Sequence, residues 1–337
     1  SRLRHTLILA TLALLALWHA PVAHATPTCT ATMSGWNATV AASGYTDAEA
    51  TLTYNCNTTT GISWRDRATV KMCLAIGQGS VPSSTVSNRL LANSFNENLR
   101  FQVYRDSART QVPGEPPPNP SFLEFTVEYP LQGGFLGFGA SGSTNGTVPV
   151  YARIPAQTGL AAGSYTSTFA NINLRYRYRD LAYSQTDPVS CDTAGVAGTP
   201  VSFSAVATAT APNACTIQGA SDLDFGTILA TETGTIERTS AIDFTCTRRT
   251  AWQVGLDNGD YSSGGPRRMA GPGGACINYG LYRSTAWDPW GNTPNVDRVT
   301  GTGTGASQRV TVYGRIVNQY LTQAGSYSDT VRVIVTY

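Results

Sequence analysis

The sequence predicts an all-β protein built as two tandem β-sandwiches, and three observations carry that prediction. A motif occurs twice: Val150-Tyr-Ala-Arg-Ile154 precedes Ala162-Gly-Ser-Tyr-Thr-Ser-Thr168, and Val312-Tyr-Gly-Arg-Ile316 precedes Ala324-Gly-Ser-Tyr-Ser-Asp-Thr330. Tyr151 to Tyr165 and Tyr313 to Tyr327 are both 14 residues apart. A repeat of well over a hundred residues is a duplicated domain, not a solenoid turn. Period-2 runs recur, most clearly in Thr330-Val-Arg-Val-Ile-Val-Thr-Tyr337. There Val331, Val333 and Val335 share one face, while Thr330, Arg332, Ile334 and Thr336 share the other. After residue 25 no long 3.6-residue apolar period appears, and turn signals such as Asp257-Asn-Gly259 punctuate the runs.

Along the chain, residues 1–25 read as a secretory signal peptide. Arg2 and Arg4 precede an apolar run from Leu7 to Trp18, and Ala23-His-Ala25 supplies the small residues of a cleavage site. Cleavage would leave 21 basic and 21 acidic residues, with Lys71 the one lysine. A neutral chain argues against nucleic acid as a partner, which would need a basic face. All three histidines, His5, His19 and His24, fall in the leader. The mature chain therefore has no Ser-His, Cys-His or His-metal scheme, and no cofactor, metal or catalytic activity is expected.

The seven cysteines contain no CxxC pair, so disulfides are the default for an exported chain. Cys29–Cys56 and Cys215–Cys246 each join the start of a domain to a strand about 30 residues on. Cys73–Cys191 follows by elimination. Cys276 is left over and is expected to be a buried small hydrophobe.

The first domain spans 26–211 and the second 212–337. The first carries two insertions, the stiff proline segment 113–120 and the glycine–aromatic stretch Leu131–Gly139. Its last run, 199–211, places Val201, Phe203, Ala205, Ala207 and Ala209 on one strand face. Asp222 and Asp224 lie two apart on a strand face, a structural pattern more than a metal or acid pair. Trp36, Trp252 and Trp290 are expected in cores.

The second copy resembles a spore coat protein U domain, the pilin-type domain of archaic chaperone–usher pili. The residues carrying the resemblance are Cys215-Thr-Ile217, the "DFG" strand at Leu223–Gly226, Phe244-Thr-Cys-Thr247, Arg268-Met269, Tyr279-Gly-Leu-Tyr282, Trp290-Gly291 and the closing motif from Val312 to Tyr337. The first copy is more divergent, with Tyr54-Asn-Cys56, Arg89-Leu-Leu91, Val103-Tyr-Arg105 and the shared close. The resemblance implies immunoglobulin-like sandwiches that lack one strand, filled by the N-terminal segment of a neighbouring subunit.

Under that resemblance only Thr26-Pro-Thr28 precede Cys29, so this chain is expected to accept a strand and not to donate one. The second domain lacks its final strand and needs one in trans. Its expected core motif is Phe225, Tyr313, Tyr327, Val331, Val333 and Val335. The 201–209 run is expected to complete the first domain in cis. Together these describe a two-domain pilus tip adhesin, exported through the periplasm to the cell surface. Its partners would be a periplasmic chaperone, an outer-membrane usher, an adjacent pilin and an abiotic or host surface.

Expected surface-binding residues are Leu131, Phe135, Leu136, Phe138 and Trp64, with the proline segment and Phe122 as a further candidate. Each aromatic buried against an apolar surface would contribute roughly 1.5–3 kcal/mol. Phe135–Phe138 reads equally as a strand and turn packed in the sandwich. The runner-up function is a structural coat or fimbrial subunit without adhesive role. An enzyme such as a two-carboxylate glycoside hydrolase is a poor third, since no acidic cluster meets aromatic sugar platforms.

Overall fold

A computed structural model describes residues 24–114, 122–133, 139–181, 186–229, 234–262, 264–321 and 323–337. The chain divides into two compact units. Unit 1 holds residues up to 38, 43–155 and 165–209, and unit 2 holds 39–42, 156–164 and 210–337. Strands such as Pro27–Met33, Leu123–Pro130 and Ser307–Ile316 follow the alternation in their sequences, whereas Arg67–Ile76 is buried on both faces.

In unit 1 the strands are β1 (Pro27–Met33), β2 (Trp36–Thr39), β3 (Thr46–Gly61), β4 (Arg67–Ile76), β5 (Leu90–Ala92), β6 (Asn98–Arg100), β7 (Gln102–Tyr104), β8 (Leu123–Pro130), β9 (Ala140–Ile154), β10 (Gly163–Tyr178), β11 (Val196–Ala197) and β12 (Val201–Ala211). One sheet runs β1-β3-β9-β7, and the other runs β2-β12-β10-β4-β8 with β5, β6 and β11 attached. Period-2 side chains face inward: Ala50, Leu52, Val150, Ala152 and Ile154 from the first sheet meet Val70, Met72, Leu74, Ile172 and Leu174 from the second. Trp36 is buried, its ring edge-on to Phe101 and Phe169, and its indole N–H donates to the Val150 carbonyl at 3.0 Å. Arg89 is fully buried and donates to the carbonyls of Ile76, Gly77, Val86 and Pro113, fastening the loops around it to the sheet.

Unit 2 contains β13 (Cys215–Ala220), β14 (Ile236–Cys246), β15 (Ala251–Leu256), β16 (Arg267–Ala270), β17 (Cys276–Tyr282), β18 (Val299–Thr302), β19 (Ser307–Ile316) and β20 (Val333–Thr336). Its sheets are β13-β14-β19-β17-β16 and β18-β15-β20. Phe244 packs edge-on to Trp252, and the Trp290 indole N–H donates to Val254 O at 2.9 Å.

The repeat in sequence is a repeat in topology. β1-β3-β9-β7 corresponds to β13-β14-β19-β17, and β10-β4-β8 corresponds to β20-β15-β18. Cys29 and Cys56 stand opposite each other on β1 and β3, as do Cys215 and Cys246 on β13 and β14, and both pairs are disulfide-bonded. A third disulfide, Cys73–Cys191, ties β4 to the loop after β10.

Four expectations need correction. Cys276 is exposed, because the inward positions of β17 are Ile277, Tyr279 and Leu281. Tyr313 is not core: β19 turns Val312, Gly314 and Ile316 inward, and Tyr313 lies half-buried on the other face. Leu223–Gly226 is not a strand, although Phe225 is buried. The last run pairs as a strand only over Val333–Thr336, and its two faces are not cleanly sorted, Ile334 being as half-buried as Val333 and Val335.

β12 lies between β2 and β10, with Ala205, Ala207, Ala209 and Ala211 buried and Val201 and Phe203 half-buried. Ala207→Asp places a charge with no partner in this core, which costs on the order of 3–5 kcal/mol. Denaturant unfolding of the full chain is expected to show the unit 1 transition lowered by that amount and the unit 2 transition unmoved.

Candidate functional site

The two units differ at one edge. In unit 1 the strand that carries the closing motif, β10, has β4 on one side and β12 on the other, with β11 continuing β12's line. In unit 2 the equivalent strand, β20, has β15 on one side and no strand on the other among the described residues. The effect on the shared motif is direct. Tyr165 and Phe169 are 0% and 1% exposed. Their counterparts Tyr327 and Val331 are half-buried, and the backbone around them, 323–332, is not in a strand.

Beside that edge lies a groove of about 460 Å³. One wall is the non-strand segment from Ser221 through Leu223 to Phe225, and the other is Tyr327 to Val333. Ile242, Leu256, Leu281 and Val312 line its depth. The apolar lining is core side chains of both sheets left uncovered. Leu223, Val331, Val333 and Val335 pack partly against this core, and none of them is fully closed from solvent.

One end of the groove is polar. Tyr279 Oη donates to Asp329 Oδ2 at 2.6 Å, and burial together with that carboxylate pushes the phenol pKa far up. Asp329 Oδ1 also accepts the N–H groups of Asp260 and Thr330. Gly259 has φ 77° against this carboxylate, where a Cβ would collide with Asp329.

Asp257 fixes the start of β20. Its Oδ1 accepts the Arg332 N–H at 2.9 Å and the Gly259 N–H at 3.0 Å, and its Oδ2 pairs with the Arg332 guanidinium at 3.3 Å. The Asp257 N–H returns a bond to the Arg332 carbonyl. Burial raises the Asp257 pKa, but these donors outweigh it and hold the carboxyl below its ordinary 3.8.

In unit 1 the β3–β9 ladder runs from Thr46 opposite Ile154 to Gly61 opposite Ala140, a span of about 50 Å. Two of the stretches expected to bind surfaces meet at the Gly61 end. The Leu131 N–H donates to Asp66 O, and Gln132 bridges Ser141. Trp64 lies there, 68% exposed, its N–H bonded to Leu181 O. Leu131 itself is buried, 9% exposed, so it supports the turn from below and cannot touch a surface. Phe122 is likewise buried, in a small cluster with Cys73, Ala75 and Cys191. Phe135, Leu136 and Phe138 lie outside the described residues, as does 115–120 of the proline segment. The residues ahead of Cys29 are engaged here too: Pro27 pairs with Thr58, and the Ala25 N–H donates to Ile62 O.

Of the residues expected at the acceptor edge, Phe225, Tyr327, Val331 and Val333 line the groove, while the rest of its lining, Ile242, Leu256, Leu281 and Val312 among it, escaped sequence reasoning because it comes from segments far apart in the chain. The signal that existed was the repeat, since the first copy has a strand after its close.

The spore coat protein U domain model matches residues 14–171 and 201–334, one match for each copy of the repeat. The chain belongs to the spore coat protein U domain family. Curated protein sequences give no match to this family member. Among solved structures it is similar to the CsuC–CsuE chaperone–tip adhesion subunit pre-assembly complex from the archaic chaperone–usher Csu pili of Acinetobacter baumannii. The identity is 16%, over 92% of this chain and 100% of that one, with a TM-score of 0.46. The CupB6 tip adhesin of Pseudomonas aeruginosa is 11% identical over 94% and 96% of the two chains, with a TM-score of 0.33. CfaE, the adhesive subunit of CFA/I fimbria of enterotoxigenic Escherichia coli, is 11% identical over 79% and 81%, with a TM-score of 0.34.

The Asp257 clamp has a pH signature. A carboxyl with a lowered folded pKa contributes stability that is present above its unfolded pKa and lost as pH falls through the folded value. Hydrogen exchange at β20 amides is expected to speed up as pH drops below about 4, beyond the intrinsic trend. In Asp257→Asn that extra acid dependence is expected to vanish, and β20 exchanges faster at neutral pH.

Proposed function

We propose that this protein is a non-catalytic pilus tip adhesin. It joins the pilus by accepting a donor strand in the unit 2 groove. It binds surfaces through the unit 1 loops that include Trp64 and 133–139. Its partners are a periplasmic chaperone, the outer-membrane usher and an adjacent pilin, and it passes through the periplasm to the cell surface. The ligand is an abiotic or host surface.

One observation carries this reading. The place beside the strand that ends the repeated motif is occupied by β12 in unit 1 and by no described strand in unit 2. An added strand there would pair the free backbone groups of β20 and cover the exposed core, the mode of recognition known as β-strand addition. Until it is filled, such an edge is an aggregation hazard, which is the physical need for a chaperone. Family membership and the pairing of residues ahead of Cys29 within unit 1 support a subunit that receives a strand. The exposed Trp64, near the Leu131–Asp66 backbone contact, supports adhesion from that end.

The groove is tested in the full chain by Val331→Asp, with capture of the chaperone in the periplasm as readout. The charge faces the incoming strand, and capture is expected to fall by tenfold or more, on the order of 1.4 kcal/mol. Unchanged capture rules out the acceptor role for this groove. For adhesion, Trp64→Ser combined with Phe135→Ser and Phe138→Ser is expected to reduce attachment to polystyrene while pili still assemble. Loss of one aromatic contact corresponds to roughly a 10- to 100-fold loss of affinity per site. Assembled pili that attach undiminished favour a structural subunit without adhesive role.

A further inference from the structure

We infer that the outer face of the β1-β3-β9-β7 sheet in unit 1 is a binding track for a neutral polysaccharide chain. The inference is independent of the groove in unit 2 and of the loops around Trp64.

Register builds the face. Across β1, β3 and β9 one rung holds Thr28, Asn57 and Ser143, and the next holds Thr30, Asn55 and Asn145. The rung after that, centred on Thr53, is threonine on all three strands. The alternate residues of β1 and β3, such as Ala31, Leu52 and Cys56, are buried in the sandwich, so the rungs face outward and are exposed. Side chains on one face repeat about every 6.8 Å along a strand and about every 4.8 Å across it. The result is a flat grid of hydroxyl and amide groups. It carries no charge: residues 27–33, 50–59 and 140–150 include no Asp, Glu, Lys or Arg.

Two features set this grid apart from ordinary strand surface. Threonine is favoured in strands, but asparagine is depleted there. Asn55 and Asn57 nevertheless sit within β3, which has a neighbour on each side, and Asn145 stands directly opposite Asn55. Among the described residues, the side chains of these two rungs make no hydrogen bond to another residue, so the asparagines gain nothing locally for the preference they break. Such a departure without local compensation marks function.

Further along β3 the same face becomes aromatic. Asp47 stands opposite Arg153 and accepts two hydrogen bonds from its guanidinium, at 2.7 and 3.0 Å. That guanidinium lies over the Tyr45 ring, 3.9 Å from its centroid. The ring is held in place by this stack, and Tyr45 stays 59% exposed. A pyranose has an apolar C–H face and a rim of hydroxyls. Tyr45 meets the first, and the grid's paired donors and acceptors meet the second. From Asp47 to Asn57 the face runs about 34 Å, long enough for several sugar residues in line.

Other occupants lack what they need on the grid. A protein partner anchors on aromatic, Met or Arg side chains at a desolvated centre. A nucleic acid or acidic polymer needs a basic face. A lipid surface needs an apolar one. An uncharged polyhydroxylated chain needs none of these.

The test runs the full chain by native affinity electrophoresis in gels containing hydroxyethyl cellulose, galactomannan or dextran, with alginate as the acidic control. At least one neutral polymer is expected to retard the protein, and alginate is not. Asn55→Val combined with Asn145→Val removes two amides and favours the strand, so the melting temperature is expected to hold or rise. Retardation by the same polymer is expected to fall by about tenfold or more. Tyr45→Ser is expected to weaken it by about threefold or more. Retardation by none of the neutral polymers overturns the proposal, as does stronger retardation by alginate. Retardation that survives both variants places the polymer elsewhere and overturns it too. If the valine pair fails to fold, Tyr45→Ser, at an exposed position, decides alone.

Discussion

A β-sheet edge exposes backbone N–H and C=O groups that need partners, and it leaves the inner face of the sandwich uncovered along that side. The architecture of this protein follows from how that edge is treated next to the strand that ends the repeated motif. In unit 1 the chain returns after Tyr178, pairs through Val196–Ala197 and then lays β12 alongside β10. In unit 2 no described strand does so beside β20. Where unit 1 has this strand and unit 2 has none among the described residues, Tyr327 is less buried than Tyr165, and the backbone at 221–229 and 323–332 is not in strands.

The edge also governs chemistry that is otherwise unremarked in the sequence. Phe225 is buried, yet its backbone is irregular, because a strand there would have no neighbour to bond to. The polar contacts at the groove's end, Tyr279 with Asp329 and Asp257 with Arg332, hold the half-formed wall in place without covering it. Arg267, mostly buried, donates to the carbonyls of Leu256, Asp257 and Trp290, and so fixes the end of β15 against which β20 pairs. Among the described residues, β20 of unit 2 is thus fixed against β15 and has no strand on its other side.

Unit 1 is closed and reinforced. Three devices fasten its loops to the sheets: the Cys73–Cys191 disulfide, the Arg89 carbonyl contacts, and the stack of Arg175 over Phe122 with its ion pair to Asp192. Loops fixed at their bases in this way can present their tips without weakening the core, the arrangement in which binding residues are usually found. Trp64 is exposed and its backbone is bonded to Leu181, while the buried Leu131 bonds Asp66, two residues after Trp64.

Much of this was legible in the sequence, and the reason is periodicity. The closing motif identified the duplication, period-2 runs identified strands, and the alternation from Val201 to Ala209 marked β12 before any coordinates. The cysteine spacing gave two of the bridges, and the third, Cys73–Cys191, followed only by elimination. Burial was less legible where both faces of a strand carry plausible core residues. In Val312-Tyr313 the valine turned inward and the tyrosine did not, and only the register of β19 against β14 decides that. Leu131, Phe122 and Cys276 were misjudged for the same reason, since hydrophobic character does not state which side a residue faces. Sequence alone thus determined the number of domains, their β nature and the strand that closes the first. The tertiary structure decided how large the groove in the second domain is and which residues complete its lining. Those depend on packing between segments a hundred residues apart, which no local pattern encodes.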